Sequence, residues 1–176
     1  RGQAGRKQMT AMAIAGNNGV PHNHNDVGSF IVHRSGQLHL VDPGGPIYTK
    51  QTFSAQRYDS VYCNSLGHSV PLINGRQQEA GGQHYGTIEV EGLNEPGAKS
   101  AVIDMTHAYP EGTVKRLVRT LELNPEANSL GLEDVYSFDR KPRSVEEAFI
   151  TFSKARIDSS GQTVRIGTVA NGLTLT

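Results

Sequence analysis

Ser29-Phe30-Ile31-Val32-His33-Arg34-Ser35-Gly36-Gln37-Leu38-His39-Leu40-Val41-Asp42 is the stretch that decides the fold class. β-Branched and apolar residues on either side of Ser35-Gly36 predict two strands, Ser29 to Arg34 and Gln37 to Val41, closed by a two-residue turn. Counting outward from the turn pairs Phe30 with Val41 and Ile31 with Leu40. Apolar side chains then fall on both faces, which predicts a hairpin covered on each side within a sandwich. The same register sets Ser29 opposite Asp42. The Asp42 carboxylate therefore leaves the second strand where the residues preceding Ser29 enter the first.

The rest of the chain carries the same pattern. Strands are expected at Ser69 to Ile73, Thr87 to Val90, Ala101 to Tyr109, Val114 to Leu123, Leu130 to Phe138 and Ala148 to Ser153. A last pair, Ala155 to Ser159 and Thr163 to Gly167, turns about Ser160-Gly161. Asn74-Gly75, Glu95-Pro96-Gly97 and Asn124-Pro125 separate these runs with turn chemistry. Gln51 to Tyr58 reads as a loop or a short helical turn, and Ser144-Val145-Glu146-Glu147 as a brief capping box. Residues 1–19 are expected to be a linker or an incomplete strand. The chain opens on Arg1 and stops on the strand-like Leu173-Thr174-Leu175-Thr176, so it is read as a fragment. The expected fold is all-β, one antiparallel sandwich over residues 1–176.

Seventeen basic and seventeen acidic residues balance, so no nucleic acid or anionic membrane is called for. The single cysteine, Cys63, excludes an internal disulfide and is read as a packed thiol. No apolar run is long enough for a membrane span, and Met9 to Ala15 is too short for a signal peptide.

Immediately before the hairpin stands His22-Asn23-His24-Asn25-Asp26. If this run is extended, every second side chain projects the same way, and two imidazoles and a carboxylate can face one point. In a chain without thiolate clusters, imidazole and carboxylate are the donors that hold zinc, and three of them suffice. The candidates are His24, Asp42 and His68: one before the hairpin, one after it, one before the next strong strand. The bland alternatives are packed or solvated histidines and a turn carboxylate ahead of Pro43-Gly44-Gly45. His33, His39, His84 and His107 are given that bland reading, while Asn25 and Asp26 are read as bracing the loop.

The order His22-Asn-His24-Asn-Asp26-x-Gly28-Ser-Phe30, Leu40-Val41-Asp42-Pro-Gly44, Tyr48, Arg57-Tyr58 and Gly67-His68-Ser-Val70-Pro-Leu-Ile-Asn-Gly75 resembles the heparinase II/III-like polysaccharide lyases, the alginate lyase branch most closely. The likeness spans residues 17–78; many members have Asn where this chain has Ser69. It implies the C-terminal β-sandwich of an enzyme whose N-terminal α/α toroid is missing here, with the substrate cleft between the two. It also implies a structural zinc on His24, Asp42 and His68, a catalytic histidine at His22, and export to the periplasm or medium. A homodimer is among the assemblies such an enzyme forms.

The reaction so implied is β-elimination on a uronic-acid polymer such as alginate or a glycosaminoglycan. A proton leaves the carbon beside the carboxylate, and the glycosidic oxygen is expelled. His22 suits either proton removal or charge neutralisation. Tyr58 is the first choice for the second proton role and Tyr48 the second. Arg57 and Arg76 are candidates to pair with substrate carboxylates, against solvation as the bland reading. The alternative function is a non-catalytic carbohydrate-binding sandwich, its loops stapled by metal and its Tyr48, Tyr58 and Tyr85 rings offered to sugars. A metal-dependent hydrolase is a third reading.

Overall fold

The computed structural model describes residues 8–168 and 171–176. Among the described residues thirteen antiparallel strands and four short 3-10 turns make up the regular structure, and the fold is all-β and sandwich-like. One layer holds a three-stranded sheet in the order β1-β3-β4, formed by Met9–Ala13, Phe30–Arg34 and Gln37–Leu40. The other is a five-stranded sheet, β2-β6-β7-β8-β9, from Gly16–Asn18, Gly81–Glu91, Lys99–Asp104, Arg116–Asn124 and Ser129–Ser137. Two smaller pieces complete the fold. A short pair joins β5 (Leu72–Ile73) to β10 (Val145–Glu146), and a C-terminal sheet joins β11, β12 and β13 (Ala155–Ile157, Val164–Gly167, Gly172–Leu175).

The decisive hairpin forms about the expected turn. Ser35 and Gly36 take φ of 54° and 82°, the two left-handed residues that a tight hairpin turn requires. The register differs from the sequence reading beyond His33. A bulge there puts Val32 opposite Leu40, where simple counting puts Ile31. The extra residue brings Val32 and Leu40 to one face, each 1% exposed, while Leu38 points outward at 51%. The hairpin therefore buries one face and leaves the other partly open, and the expectation of cover on both sides is corrected.

Part of the segment read as a linker or an incomplete strand is strand. Met9–Ala13 pairs along β3, and Gly16–Asn18 pairs with β6. Residues 1–7 of that segment lie outside the described residues. Other differences follow from local chemistry. The strand expected from Ser69 shortens to Leu72–Ile73, because Ser69 N–H and carbonyl are taken by Ser29 Oγ and Arg119. The strand from Ala101 stops at Asp104, whose Oδ1 accepts from Thr106 N–H and starts a 3-10 turn. Residues 148–153 form no strand. Their one ladder-like bond is Val41 N–H to the Ile150 carbonyl, and pairing falls instead on Val145–Glu146, the place of the supposed capping box. Gln51–Phe53 and Ala55–Asp59 are 3-10 turns, as the helical reading allowed.

A single core joins the layers. Met9, Phe30, Val32 and Leu40 meet Ile103, Leu117 and Leu121 of the five-stranded sheet and Ile166 and Leu173 of the C-terminal one. Leu117 and Leu121 share a face of β8 with Arg119, which is 1% exposed. That cation is compensated on all sides. Nε and Nη2 donate to the two oxygens of Asp134 at 2.8 and 2.5 Å, and Nη2 reaches Glu147 Oε2 at 3.1 Å. Nη1 donates to the carbonyls of Gly28 at 2.9 Å and Ser69 at 2.6 Å. The guanidinium lies 5.4 Å over the Phe30 ring. Arg119 thus ties the five-stranded sheet to the two loops that carry the histidines.

Candidate metal centre and its aromatic mouth

The His22–Val27 run joins no sheet; it turns at His22, bends at Asn25 and turns again at Val27, so its peptide groups are satisfied by side chains and loops. The Asn23 carbonyl accepts from Arg57 Nε at 3.0 Å and Nη2 at 2.7 Å. Asn25 N–H donates to the Cys63 carbonyl at 2.9 Å, and its carbonyl accepts from Ser65 Oγ at 2.8 Å. With alternate residues gripped, His24 and Asp26 project together. They meet Asp42 from the end of the hairpin and His68 from the end of a 3-10 turn, Ser65–Gly67. One donor atom from each of the four lies within 4.8 Å of every other.

The sequence-predicted ligands His24, Asp42 and His68 are therefore brought together, and Asp26 joins them. Asp26 was read as a loop brace, although the alternation that pairs positions 22 and 24 also includes 26. Glycines make the approach feasible. Gly28, at φ 85°, packs against the Met105 sulfur where a Cβ has no room, and Gly67 lies against the Val61 carbonyl in the same way.

His68 is completely buried, and its two nitrogens differ. Nε2 faces the Tyr62 carbonyl at 3.2 Å, a partner that can only accept, so Nε2 carries the proton. Nδ1 is the nitrogen turned toward Asp42. It sits 3.1 Å from Asp42 Oδ2 but has no hydrogen-bond alignment with it, or with any other described group. An imidazole nitrogen and a carboxylate oxygen converge there, and a ring fixed through its other nitrogen is the usual arrangement of a metal-bound histidine. Oδ1 of Asp42 is held separately by Gly44 N–H at 2.7 Å.

The electrostatics agree. Burial pushes the His24 imidazole below its ordinary value, and the neighbouring His68 adds to this, which favours the neutral form that a metal ligand needs. Burial opposes ionisation of Asp42, yet the adjacent His68 ring and Gly44 N–H outweigh it and hold the carboxyl below its usual range. Asp26 goes the other way, raised chiefly by burial against the attraction of the two histidines. The donor set, two imidazoles and two carboxylates, fits zinc.

His22 stands apart from this group. Its φ of 63° is left-handed, a conformation costing a non-glycine residue about 1–2 kcal/mol. The ring turns outward to Tyr48, whose hydroxyl lies 3.3 Å from Nδ1. Phe53 closes the trio, with centroids 6.1 Å from His22 and 5.5 Å from Tyr48. Tyr48 is 59% and Phe53 68% exposed. A cavity of about 320 Å³ is lined by Ile14, Asn17, Asn18, His22, His24 and Asp26.

The other site candidates fall elsewhere. Tyr58 donates its hydroxyl to Asn23 Oδ1 at 2.8 Å, so it braces the loop. Arg57 is buried with its guanidinium committed to the Asn23 and Thr52 carbonyls, and it faces inward. Three of the five N–H donors of a guanidinium are thereby engaged with the loop's own backbone. Arg76 is exposed on a two-residue turn at Asn74-Gly75. Tyr85 stacks on His107 at 5.0 Å, away from the trio, and His84 pairs with Glu79. Cys63 is buried and free.

No protein-family model and no curated protein matches the chain. Among the described residues no helix is long and apolar enough to cross a membrane.

Proposed function

We propose that this chain is the β-sandwich part of a polysaccharide lyase that cleaves uronic-acid-containing chains by β-elimination, with a structural zinc at His24, Asp26, Asp42 and His68. The resemblance of residues 17–78 to the heparinase II/III-like lyases motivates the reading. The observation that carries it is the pairing of the His22 imidazole with the Tyr48 hydroxyl at 3.3 Å, exposed beside a metal-competent group. An acid and a base in contact at an open surface are what removal of a carbon-bound proton and protonation of a leaving oxygen require.

Zinc, when bound, fixes three loops relative to one another; it is given no chemical step. His22 sits two residues from His24, so anchoring His24 and Asn23 fixes where the His22 ring can reach. Tyr48 donates to or accepts from His22 Nδ1, leaving Nε2 free for substrate. The geometry favours Tyr48 over Tyr58 for the tyrosine role, since the Tyr58 hydroxyl is occupied by Asn23. Both protons of the elimination are assigned to this pair: one taken from the carbon beside the carboxylate, one given to the departing oxygen. Any further groups, the family's toroid included, act from outside these residues.

A second reading, a carbohydrate-binding module, is favoured by the exposed Tyr48 and Phe53 rings and by the Tyr85–His107 stack. Incubation with alginate, heparan sulfate and other uronic-acid polymers separates them. A lyase generates near-ultraviolet absorbance from the new double bond, a hydrolase only new reducing ends, and a binding module neither. Absence of that absorbance with every uronate polymer, using the protein together with its toroid, removes the lyase reading.

A further inference from the structure

Beyond Asn23 and Asn25, the third residue gripped along the His22–Val27 run is Val27, and its grip is the most complete. Gln78 Nε2 donates to the Val27 carbonyl at 2.6 Å while Gln78 Oε1 accepts from Val27 N–H at 2.9 Å. A primary amide with donor and acceptor side by side thus replaces the neighbouring strand that residue 27 lacks. Gln78 is 4% exposed and is itself fixed. Its N–H donates to Ser65 Oγ at 3.1 Å, its carbonyl accepts from Asn25 Nδ2 at 3.3 Å, and Asn18 Nδ2 reaches its Oε1 at 3.4 Å.

Asp26 is consequently bracketed. Its carbonyl accepts from Ser29 N–H at 2.8 Å, and Gln78 holds both the N–H and the carbonyl of the next residue, Val27. The bracket matters because the Asp26 carboxylate stands within 4.8 Å of Asp42, a like charge it would leave if the backbone were free. We propose that Gln78 is a positioning residue that delivers Asp26 to the metal, making a four-ligand centre from what would otherwise be the three-ligand set His24, Asp42 and His68. This rests on the metal reading above.

The test is titration of the metal-stripped protein with cobalt(II), then zinc, alongside Gln78→Met, the milder Gln78→Glu, and Asp26→Asn. Gln78→Met keeps length and loses both bonds; Gln78→Glu keeps an acceptor for Val27 N–H and loses the donor. Wild type is expected to give the intense visible cobalt absorption of a four-coordinate site. Gln78→Met is expected to bind about 10–100-fold more weakly, the usual effect of removing a group that orients a ligand. Its cobalt absorption should weaken as water replaces the carboxylate, and Asp26→Asn should give the same spectrum. Gln78→Glu should fall between. A purely structural glutamine would lower the urea midpoint of the metal-free protein and leave affinity and spectrum unchanged, which overturns the inference. An Asp26→Asn variant with the wild-type spectrum overturns it as well. A wild type that binds neither ion removes the metal reading itself and this inference with it.

Discussion

The corner at His24, Asp26, Asp42 and His68 and the mouth at His22, Tyr48 and Phe53 are adjacent in sequence and opposite in construction. The corner is dense in charge and braced from three directions, by Arg57 and Ser65 on the loop, Gln78 behind it, and Arg119 from the five-stranded sheet. The mouth consists of exposed rings joined by one hydrogen bond. Two residues of chain separate a group suited to hold an ion still from one suited to meet a changing partner. Stability and chemistry should therefore be separable by substitution.

The largest expected effect belongs to the mouth. On the lyase reading proposed above, His22→Ala and Tyr48→Phe should each reduce elimination by about 10²–10⁴-fold, the usual contribution of a positioned acid or base. Neither should move the unfolding free energy by more than about 0.5 kcal/mol. Activity that survives both variants breaks the comparison. Arg119→Met should do the reverse, destabilising by about 3–5 kcal/mol because it strands Asp134 and Glu147 without their cation; urea unfolding measures this.

Metal comes next. Zinc in hundredfold excess over its dissociation constant should stabilise the folded protein by about 2.7 kcal/mol, read as a thermal shift that a chelator reverses. His68→Ala should abolish the shift and His22→Ala should preserve it. Loss of the shift in His22→Ala would place that ring among the ligands.

The smallest effect is that of pH on the metal-free protein. Burial is the main cause holding both His24 and His39 below the ordinary 6.5. The unfolded chain therefore takes up protons first. The stability of keeping both rings neutral is whole above 6.5 and is lost as pH falls from there through the lower folded values. Thermal unfolding between pH 5 and 8 in chelator should show this decline, and His39→Leu should flatten it in part.

Much of this was legible in the sequence, for identifiable reasons. The Ser35-Gly36 turn, the all-β class and the meeting of His24, Asp42 and His68 follow from turn chemistry and from positions at strand ends. The bulge at His33 was not, since counting outward from a turn assumes one residue per rung. Asp26 was within reach of the same period-two reasoning applied to His22 and His24. Arg119 also carried a signal, a lone cation between Leu117 and Leu121 on one face of a strand, but its partners Gly28 and Ser69 are remote in sequence. Gln78 left no such trace, because a side-chain amide pairing with a loop peptide has no periodicity. The grip of Arg57 on the loop left no sign either, because a guanidinium beside Tyr58 reads the same whether it faces a substrate or two carbonyls.

A crystal structure of the zinc-loaded protein, with anomalous scattering to locate the ion, tests the central claim most directly. The account predicts one zinc with the imidazoles of His24 and His68 and the carboxylates of Asp26 and Asp42 at about 2.0–2.2 Å, and the His22 ring unligated beside Tyr48. An ion bound through His22, or no ion among these four side chains, would contradict it.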